Sequence, residues 1–300
     1  MNNNIEVSVI IVNYNTTQLT KQSLLSVERE TLRNGYEIIV VDNDSHDRSI
    51  ELLAGEFPNV NFIFSKTNLG FGRANNLAIA IAKGKYLFLL NSDAYLIEDS
   101  ISKFFDFMEQ PQNADVACCG ANLLGEDREA TTSYGNLPTL AEAISRLGFA
   151  LFYKQYYKKH LASGLINNSN EIREVGYITG ADMFIRKSVI DETGAFDADF
   201  FLYFEETELS FRFRKHNFKS YFLPNTSIIH LEGGSQKSDT RFNFKQIERF
   251  AVSRKLYFTK CHGGFYAKSV MLIYAIQAAI FAIGKLNVGY LKIALINLKT

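Results

Sequence analysis

Polar and acidic side chains follow several apolar runs of this sequence at the points where those runs end. Asn91, Ser92 and Asp93 come directly after one such run, and Asp42 follows another in the same way. A carboxylate at the carboxyl end of a buried strand can hold Mg²⁺ or Mn²⁺, because these hard ions prefer oxygen ligands shared with phosphates. An acid in the position of Asp42 can accept hydrogen bonds from a base or a ribose. The alternative for Ser92 and Asp93 is a cap on a following helix.

A second group of acids, Glu205, Glu206 and Glu208, follows the five consecutive aromatic or aliphatic residues 200–204. A carboxylate held against apolar surface has a raised pKa, which suits a general base. The alternative is the first turn of a helix, which favours acids through the helix dipole. We assign that alternative to Glu208, which pairs with Arg212 four residues later, and it can also cover Glu205.

The segment that contains Asn68, Gly70, Arg73 and Asn75 invites comparison with a dinucleotide fingerprint. It fails, because Asn75 occupies the third glycine position and the segment follows the third apolar run instead of the first. A nicotinamide oxidoreductase is therefore excluded. What remains is a flexible turn into a helix N-terminus, where Arg73 can help to bind a diphosphate. A plain helix entry explains this segment equally well.

His230 ends another short apolar run and precedes a glycine-rich stretch at residues 231–235. A lone histidine is usually structural. Histidine at a strand end beside a mobile turn can instead complete a metal site. Both interpretations stay open for His230.

Short β-branched apolar runs alternate with helical patterns over the first hundred residues, which predicts βαβ units around a mainly parallel sheet. The predicted strands are residues 7–12, 37–41, 61–64 and 86–90. Helices are predicted at residues 74–81 and 101–108 from their i, i+3, i+4, i+7 spacing. Right-handed crossovers bring the four strand ends to one edge, where open α/β sheets bind ligands. The polar residues at that edge are Asn13, Tyr14, Asn15, Asp42, Asn43, Asp44, Asn91, Ser92 and Asp93.

The rest of the chain predicts a second half packed on the first, with less regular patterning. Strands are predicted at residues 116–121, 183–185, 221–223 and 228–230, and a helix at residues 205–216. We therefore predict an α/β fold with a mainly parallel sheet flanked by helices in residues 1–110 and a second half that contains the acidic group in residues 111–235. A helical C-terminal segment follows at residues 236–300.

Composition and charge separate the C-terminal segment from the rest of the chain. The 300 residues are 47% apolar with no net charge, which excludes a disordered chain and gives no support for a nucleic-acid partner. Residues 236–300 nevertheless carry 11 Lys or Arg against two acids. Three cysteines, two of them adjacent, do not form a disulfide framework, so we predict a cytoplasmic protein.

An uncharged run of 16 residues at 269–284 lies between Lys268 and Lys285. It is shorter than the roughly 20 residues that span a bilayer, and it is apolar nearly all round. With its basic flanks it predicts peripheral attachment to the inner face of the cytoplasmic membrane. A packed helix or homodimer contact and a true membrane span are the alternatives.

Together these motifs resemble the family 2 glycosyltransferases of the GT-A fold, and within them the bacterial rhamnosyltransferase-like branch that builds surface polysaccharides. The resemblance covers about residues 7–235, and it implies a nucleotide-sugar-binding half at residues 1–110 and an acceptor-binding half with the catalytic base at residues 111–235. Its motifs are residues 9–15, 40–45, 68–72, 90–93, 180–182, 201–208 and His230.

The resemblance implies a role for four residues: Asp42 on a pyrimidine base, Asp93 and His230 on Mg²⁺ or Mn²⁺, and Glu206 as the base, with Glu205 second. It implies direct displacement at the anomeric carbon with inversion, from a nucleotide-sugar donor such as dTDP-rhamnose to a glycan or lipid-linked acceptor. Asn91 departs from the family's metal motif, which commonly has an acid there. A non-catalytic nucleotide-sugar or carbohydrate-binding protein of the same fold is the alternative that this departure supports.

Overall fold

A computed structural model describes residues 5–46, 49–167, 170–231 and 242–300 of the chain. Its strands are β1 (Val7–Asn13), β2 (Tyr36–Asp42), β3 (Asn61–Phe64), β4 (Tyr86–Asn91), β5 (Ala94–Leu96), β6 (Val116–Leu124), β7 (Thr132–Gly135), β8 (Leu165–Ile166), β9 (Arg173–Val175), β10 (Tyr177–Ile178), β11 (Asp182–Arg186) and β12 (Lys219–His230). Its α-helices are α1 (Thr17–Glu30), α2 (Ser49–Glu56), α3 (Phe71–Ile79), α4 (Ser100–Met108), α5 (Leu140–Ser145), α6 (Lys154–His160), α7 (Lys187–Thr193), α8 (Glu205–Lys215), α9 (Phe244–His262), α10 (Gly264–Gly284) and α11 (Gly289–Lys299).

The main sheet has the order β3-β2-β1-β4-β11-β6-β12-β5, with β9 paired to β12. The first four strands of that order are parallel, which confirms the predicted mainly parallel sheet. β11 then runs antiparallel between β4 and β6. A small antiparallel sheet of β10, β7 and β8, which the sequence did not predict, lies beside it.

Side chains alternate along the central strands and build two apolar layers. In β1, Val9 and Ile11 pack with Leu24 of α1, whereas Ile10 packs on the other side with Ala74 of α3 and other residues of α3, α7 and α8. Both layers contain residues from β6, β11 and β12 as well as from β1 and β4. The predicted division between residues 110 and 111 therefore falls within one sheet and one core.

Two local predictions differ from the structure. The predicted strands at 221–223 and 228–230 form the single strand β12, whose register shifts between Leu223 and Ser227. Pro224 lies at that shift, because its missing N–H cannot continue a regular ladder. Leu77 and Ile81, predicted to face the sheet, are 38% and 50% exposed; the small side chains of α3 make the contact instead.

Helices α9, α10 and α11 form the C-terminal part, and the predicted boundary at residues 235/236 lies outside the described residues. Tyr257 and Phe258 of α9 and Val270 of α10 share an apolar cluster with Phe200 and Phe204. The C-terminal helices are therefore built onto the segment that precedes the predicted base.

Within the described residues, α10 is the one helix long and apolar enough to cross a membrane, and only 33% of its most apolar window is buried. At 21 residues it is longer than the uncharged run alone, because it begins at Gly264 and includes Lys268. The argument that this segment is too short for a span is therefore wrong for the helix as folded.

Candidate functional site

The carboxyl ends of β1 and β2 meet through a network of side-chain hydrogen bonds. The Asn13 amide nitrogen donates to Asp42 Oδ1 at 2.8 Å and to Ser45 Oγ at 2.9 Å. Its amide oxygen accepts from the hydroxyls of Thr16 and Thr20. Asn13 is fully buried, so it positions Asp42 from behind and its own amide groups are already engaged.

Asp42 is only 5% exposed, and its two carboxylate oxygens accept one hydrogen bond each, from Asn13 and from the Ser45 backbone N–H at 3.1 Å. A carboxylate oxygen has a further lone pair, so Asp42 can still accept from a ligand. Tyr14 is 39% exposed at the same edge, with its ring 6.1 Å from that of His46. Asp44 is half-buried and adopts a left-handed backbone with φ of 68°.

Asn43 organises the predicted glycine turn, a role that the sequence analysis did not assign to it. Its amide nitrogen donates to Asn68 Oδ1 at 3.1 Å and to the Gly70 carbonyl at 3.2 Å, and its amide oxygen accepts from the Leu69 N–H at 2.8 Å. Asn68 Oδ1 also accepts from the Gly70 N–H. The turn from Asn68 to Gly70 is therefore held at both ends instead of being flexible.

Gly70 has φ of +80°, and a Cβ atom there would lie 2.0 Å from the Phe201 carbonyl oxygen. The next N–H, of Phe71, donates to that same oxygen at 3.0 Å. The first free N–H of α3 is thus used inside the protein. The Arg73 side chain is half-buried, and its Nε donates to the Leu69 carbonyl at 2.8 Å. The diphosphate role of Arg73 stays a prediction.

The predicted metal ligands come together at the end of β4. Asp93 Oδ1 lies 3.3 Å from His230 Nε2, and the Asn91 amide nitrogen lies 3.4 Å from the same ring nitrogen. The Ser92 hydroxyl is 2.9 Å from that of Thr16, which ties this corner to the β1–α1 turn. The alternative for Ser92 and Asp93, a cap on a following helix, is excluded, because β5 follows them and Asp99 caps α4 instead.

This corner fits a hard divalent cation only in part. A carboxylate, a side-chain amide and an imidazole nitrogen converge there, and the His230 and Asp93 side chains are 14% and 18% exposed. Among the described residues, no group of three or more His, Cys, Asp or Glu side chains could hold a metal. A cation here would take its remaining oxygens from the donor's diphosphate and from water.

Glu205 and Glu206 begin α8 immediately after two residues with strained backbones. Tyr203 and Phe204 have φ of 73° and 69°, a left-handed conformation that costs an ordinary residue about 1–2 kcal/mol. Contacts with α9 hold them: Gln246 donates to the Tyr203 hydroxyl at 2.9 Å, and Ser253 donates to the Leu202 carbonyl at 2.7 Å. The strain is therefore maintained by the C-terminal helices.

Burial raises the pKa of Glu205 well above its ordinary range, and the neighbouring Glu206 carboxylate raises it further. Burial also raises the pKa of Glu206. Glu205 is 3% exposed, and among the described residues its Oε2 atom has no hydrogen-bond donor. Glu206 is half-buried and accepts from the Thr207 hydroxyl at 3.1 Å. Two neighbouring carboxyls with raised pKa values can hold and release a proton at a pH above the ordinary range of glutamate.

Glu208 is structural, as predicted. Arg212 Nε and Nη2 donate to its two oxygens at 2.7 and 2.9 Å. Arg212 also donates to the carbonyls of Thr193, Gly194 and Ala195, so the pair joins α8 to the end of α7.

The sheet edge and the acidic pair open into one cavity of about 630 Å³. Asn91 and His230 line it on the sheet side, and Glu205 and Glu206 line it on the α8 side. Buried Tyr177, which the sequence analysis missed, also lines the cavity, and burial and then Glu206 raise its pKa. Only the pairing of β7 with β10 brings Tyr177 to this place, so no local sequence signal marks it.

Comparison with known proteins gives a matching family model and several similar chains. The glycosyl transferase family 2 model matches residues 8–194. An uncharacterised glycosyltransferase of Methanocaldococcus jannaschii is 26% identical over 52% of this chain and 52% of its own, so the match spans about half of that relative. An N-acetylglucosaminyl-diphospho-decaprenol L-rhamnosyltransferase of Mycobacterium tuberculosis is 23% identical over 77% of this chain and 78% of its own. A rhamnosyltransferase of Escherichia coli is 22% identical over 83% and 94%.

Two solved structures share the fold. GalNAc-T7 with UDP, GalNAc and Mn²⁺ superposes with a TM-score of 0.60 at 17% identity, over 90% of this chain and 51% of that one. A mannosyltransferase from Pyrobaculum calidifontis with GDP-Man and Mn²⁺ gives 0.57 at 14% identity, over 98% and 86%. With the predicted GT-A architecture confirmed, the chain belongs to glycosyl transferase family 2.

Proposed function

We propose that this protein is an inverting glycosyltransferase that moves a sugar from a nucleoside diphosphate to a hydroxyl of a glycan or lipid-linked acceptor in surface polysaccharide synthesis. The observation that carries the proposal is the cavity that Asn91 and His230 share with Glu205 and Glu206. A strand-end ligand corner and a pair of carboxyls with raised pKa values face one space there. Such a space can hold a donor sugar between its leaving group and an attacking hydroxyl.

In this proposal the donor lies across the ends of β1, β2 and β4. Asp42 accepts a hydrogen bond from the base, since Asn13 and Ser45 fix its carboxylate while leaving a lone pair on each oxygen. Exposed Tyr14 and the left-handed Asp44 border the nucleoside. Asn68 and Gly70 form the turn that closes this side.

Glu206 takes the proton from the acceptor hydroxyl as that oxygen attacks the anomeric carbon opposite the departing nucleoside diphosphate. Glu206 is favoured over Glu205 because it is half-buried, whereas Glu205 is 3% exposed. Burial and the Glu206 charge raise the pKa of Glu205 further, so Glu205 stays protonated beside the base. Displacement in one step inverts the anomeric configuration.

Asp93 and His230 would hold a Mg²⁺ or Mn²⁺ ion, with the Asn91 side-chain amide beside them. Bound there, the ion would supply charge that stabilises the leaving diphosphate. Because the protein offers few ligands, we expect weak cation binding without nucleotide. Two solved structures of this fold were determined with Mn²⁺, which supports this choice.

The donor sugar and the acceptor are proposed from the relatives. Two of them are named as rhamnosyltransferases, and the name of one includes a diphospho-decaprenol acceptor. We therefore propose a dTDP-linked deoxysugar such as dTDP-rhamnose as donor and a lipid-linked glycan as acceptor. A non-catalytic sugar-binding protein is the second candidate, favoured by Asn91 in place of an acid.

Release of nucleoside diphosphate from a panel of nucleotide sugars, with and without Mn²⁺ or Mg²⁺, tests the proposal. We expect one donor to turn over with metal and not with EDTA. The matched control is Glu206→Gln, which should bind the same donor without releasing product. Tight donor binding by the parent protein with no turnover on any glycan or prenyl-linked acceptor would establish the non-catalytic candidate.

We also propose peripheral attachment to the cytoplasmic membrane through α10. Leu272, Ile276 and Ile280 on this helix are 52%, 43% and 50% exposed, and lysines flank them. Apolar side chains with basic neighbours bind anionic lipid surfaces. Removing the whole C-terminal part would also remove the support of Tyr203 and Phe204, so the test keeps the full chain.

Flotation with anionic vesicles compares two double variants of the full chain. Leu272→Glu with Ile280→Glu should abolish flotation. Leu32→Glu with Leu52→Glu, at side chains 81% and 75% exposed on another face, should leave it intact. Equal flotation of both variants would leave α10 as a packed helix or a dimer contact.

A further inference from the structure

A second cavity, of about 440 Å³, lies among α9, α10 and α11. Most of its walls are apolar or aromatic, including Ile247, Phe250, Ala278, Phe281 and Ile293. Its size lies within the range of small-molecule sites in proteins. It is distinct from the cavity that contains Glu206.

Arg254 introduces a buried positive charge into these apolar walls. It is 8% exposed, its Nη2 donates to Asn297 Oδ1, and its guanidinium lies 3.6 Å from the centroid of the Tyr274 ring. Among the described residues, its Nε has no acceptor and no carboxylate forms an ion pair with it. Glu142 acts on Arg254 electrostatically but forms no ion pair with it, and its oxygens accept from Arg146 at 2.5 Å and from the Tyr274 hydroxyl at 3.3 Å.

A buried guanidinium without an ion-pair partner lowers the stability of the free protein. A ligand that supplies the missing negative charge would offset this cost. The planar fork of an arginine matches a phosphate better than it matches any neutral group. An apolar cavity with one such charge therefore fits a ligand that carries a phosphate on a hydrocarbon chain.

The second cavity adjoins the site of transfer. Tyr203 and Phe250 line both cavities. Tyr203 is also the strained residue just before the acidic pair, and Gln246, which holds its hydroxyl, lines the second cavity. A ligand in the second cavity is thus next to the segment that aims Glu206.

We infer that the cavity among α9, α10 and α11 binds the phosphate and first prenyl units of the acceptor, with Arg254 on the phosphate. This inference rests on the proposed function, because it identifies where the acceptor's lipid portion lies while its sugar occupies the larger cavity. Phe281 and Tyr290 at the cavity walls lead to the exposed apolar side chains of α10 and α11. The rest of the prenyl chain passes along that face toward lipid.

The test measures binding of farnesyl phosphate in solution. The chain contains no tryptophan, so Phe281→Trp places a single fluorescent reporter in the cavity wall. In this background we expect farnesyl phosphate to change the emission, with farnesol binding much more weakly. Arg254→Gln should weaken farnesyl phosphate binding about 10- to 100-fold, the range for loss of a charged hydrogen bond. Lys255→Gln, a change of the neighbouring basic residue outside the cavity, should leave it unchanged.

Three results would overturn the inference: farnesol binding as tightly as farnesyl phosphate, Arg254→Gln binding like the parent, or short-chain phosphatidic acid binding as tightly as farnesyl phosphate. The last would make the site one for a phospholipid headgroup. Binding of dTDP, UDP and GDP, measured on the same samples, separates the two proposals. Nucleotide binding and turnover without prenyl phosphate binding would remove only the acceptor site, whereas prenyl phosphate binding without turnover of any donor would remove only the proposed transfer.

A second variant tests the site without changing Arg254, so that the inference does not depend on whether Arg254→Gln folds. Ala278→Leu keeps Arg254 and fills the cavity from a buried position on its wall. We expect it to abolish farnesyl phosphate binding while nucleotide binding stays as in the parent. Unchanged farnesyl phosphate binding in Ala278→Leu would also reject the site.

Discussion

The two sides of the candidate active site are built on opposite principles. At the ends of β1 and β2, the polar groups of Asn13, Asp42 and Asn43 are engaged in hydrogen bonds within the protein. On the α8 side, by contrast, buried Glu205 Oε2 has no donor among the described residues, and Tyr203 and Phe204 are strained.

The difference supports our proposal that the donor binds at the strand ends and that the reaction depends on the acids of α8. A satisfied network is rigid and keeps ligand-binding atoms in place before the donor arrives. Buried acids with raised pKa values and a strained backbone raise the energy of the free protein, and such features concentrate at catalytic centres. Changes to the α8 side should therefore alter turnover most, and changes at the ends of β1 and β2 should alter binding and folding.

The largest effect is expected for Glu206→Gln. The amide keeps the size of the side chain and cannot accept the proton, so kcat should fall roughly 10² to 10⁴ while donor binding stays nearly unchanged. Single-turnover kinetics and donor titration measure both. If Glu205→Gln is the inactive variant and Glu206→Gln is active, the base is Glu205; two active variants would remove the acidic pair from the mechanism.

Asp93→Asn should follow, with transfer reduced by about 10² to 10³, the scale for loss of one contact with developing charge. The substitution keeps the shape of the corner beside His230, so thermal unfolding should match that of the parent. Activity as a function of Mn²⁺ concentration measures the effect. Full activity of Asp93→Asn, or of the parent in EDTA, would contradict the metal assignment.

Gly70→Ala should destabilise the fold by about 2–4 kcal/mol, because the new Cβ adds a clash with the Phe201 carbonyl to the cost of a left-handed backbone. Gly148→Ala is the matched control: φ is +117° there, and a Cβ meets nothing within 4 Å. It should cost only about 1–2 kcal/mol. Urea unfolding compares the two, and equal losses would mean that the contact with Phe201 is unimportant.

The smallest effect is a shift in pH dependence. A base with a raised pKa is protonated at a higher pH than usual, so kcat/KM should fall as pH decreases even above the ordinary glutamate value of about 4.3. The pKa of Glu205 is raised further than that of Glu206, so Glu205 is still protonated where Glu206 titrates, and Glu205→Gln should leave this acid limb at the same pH. A move of the acid limb to lower pH in Glu205→Gln would show that Glu205 is ionised while Glu206 titrates.

The strand-end side could be read from the sequence because its logic is local. An apolar run that ends in Asn13, Asp42 or Asn91 predicts both a strand and the polar residue at its carboxyl end. Parallel pairing of β1 with β2 and β4 then places these ends at one edge of the sheet. The α8 acids were also visible, because they follow an apolar run directly. The alternative of a helix cap at Ser92 and Asp93 is excluded by β5. The sequence did not predict this strand, because three residues are too few to show the alternation of a strand.

What the sequence could not supply are partners distant in the chain. Only glycine fits at position 70, because the main chain of Phe201 lies against it. Tyr177 reaches the cavity through a small antiparallel sheet, and Arg254 faces a cavity only because three helices enclose it. None of these contacts has a periodicity of its own. They follow from tertiary packing, which composition and spacing do not encode locally.

The support of Leu202 and Tyr203 by α9 has a consequence for the order in which a new chain acquires its properties. Ser253 and Gln246, which hold this segment, leave the ribosome after every strand of the main sheet. A nascent chain can therefore assemble the sheet, with the strand ends that we propose bind the nucleotide, while the segment before Glu205 still lacks its contacts with α9. The chain therefore becomes able to transfer sugar only after α9 has been synthesised. At that stage α10, the apolar helix that we propose contacts the membrane, follows α9 out of the ribosome.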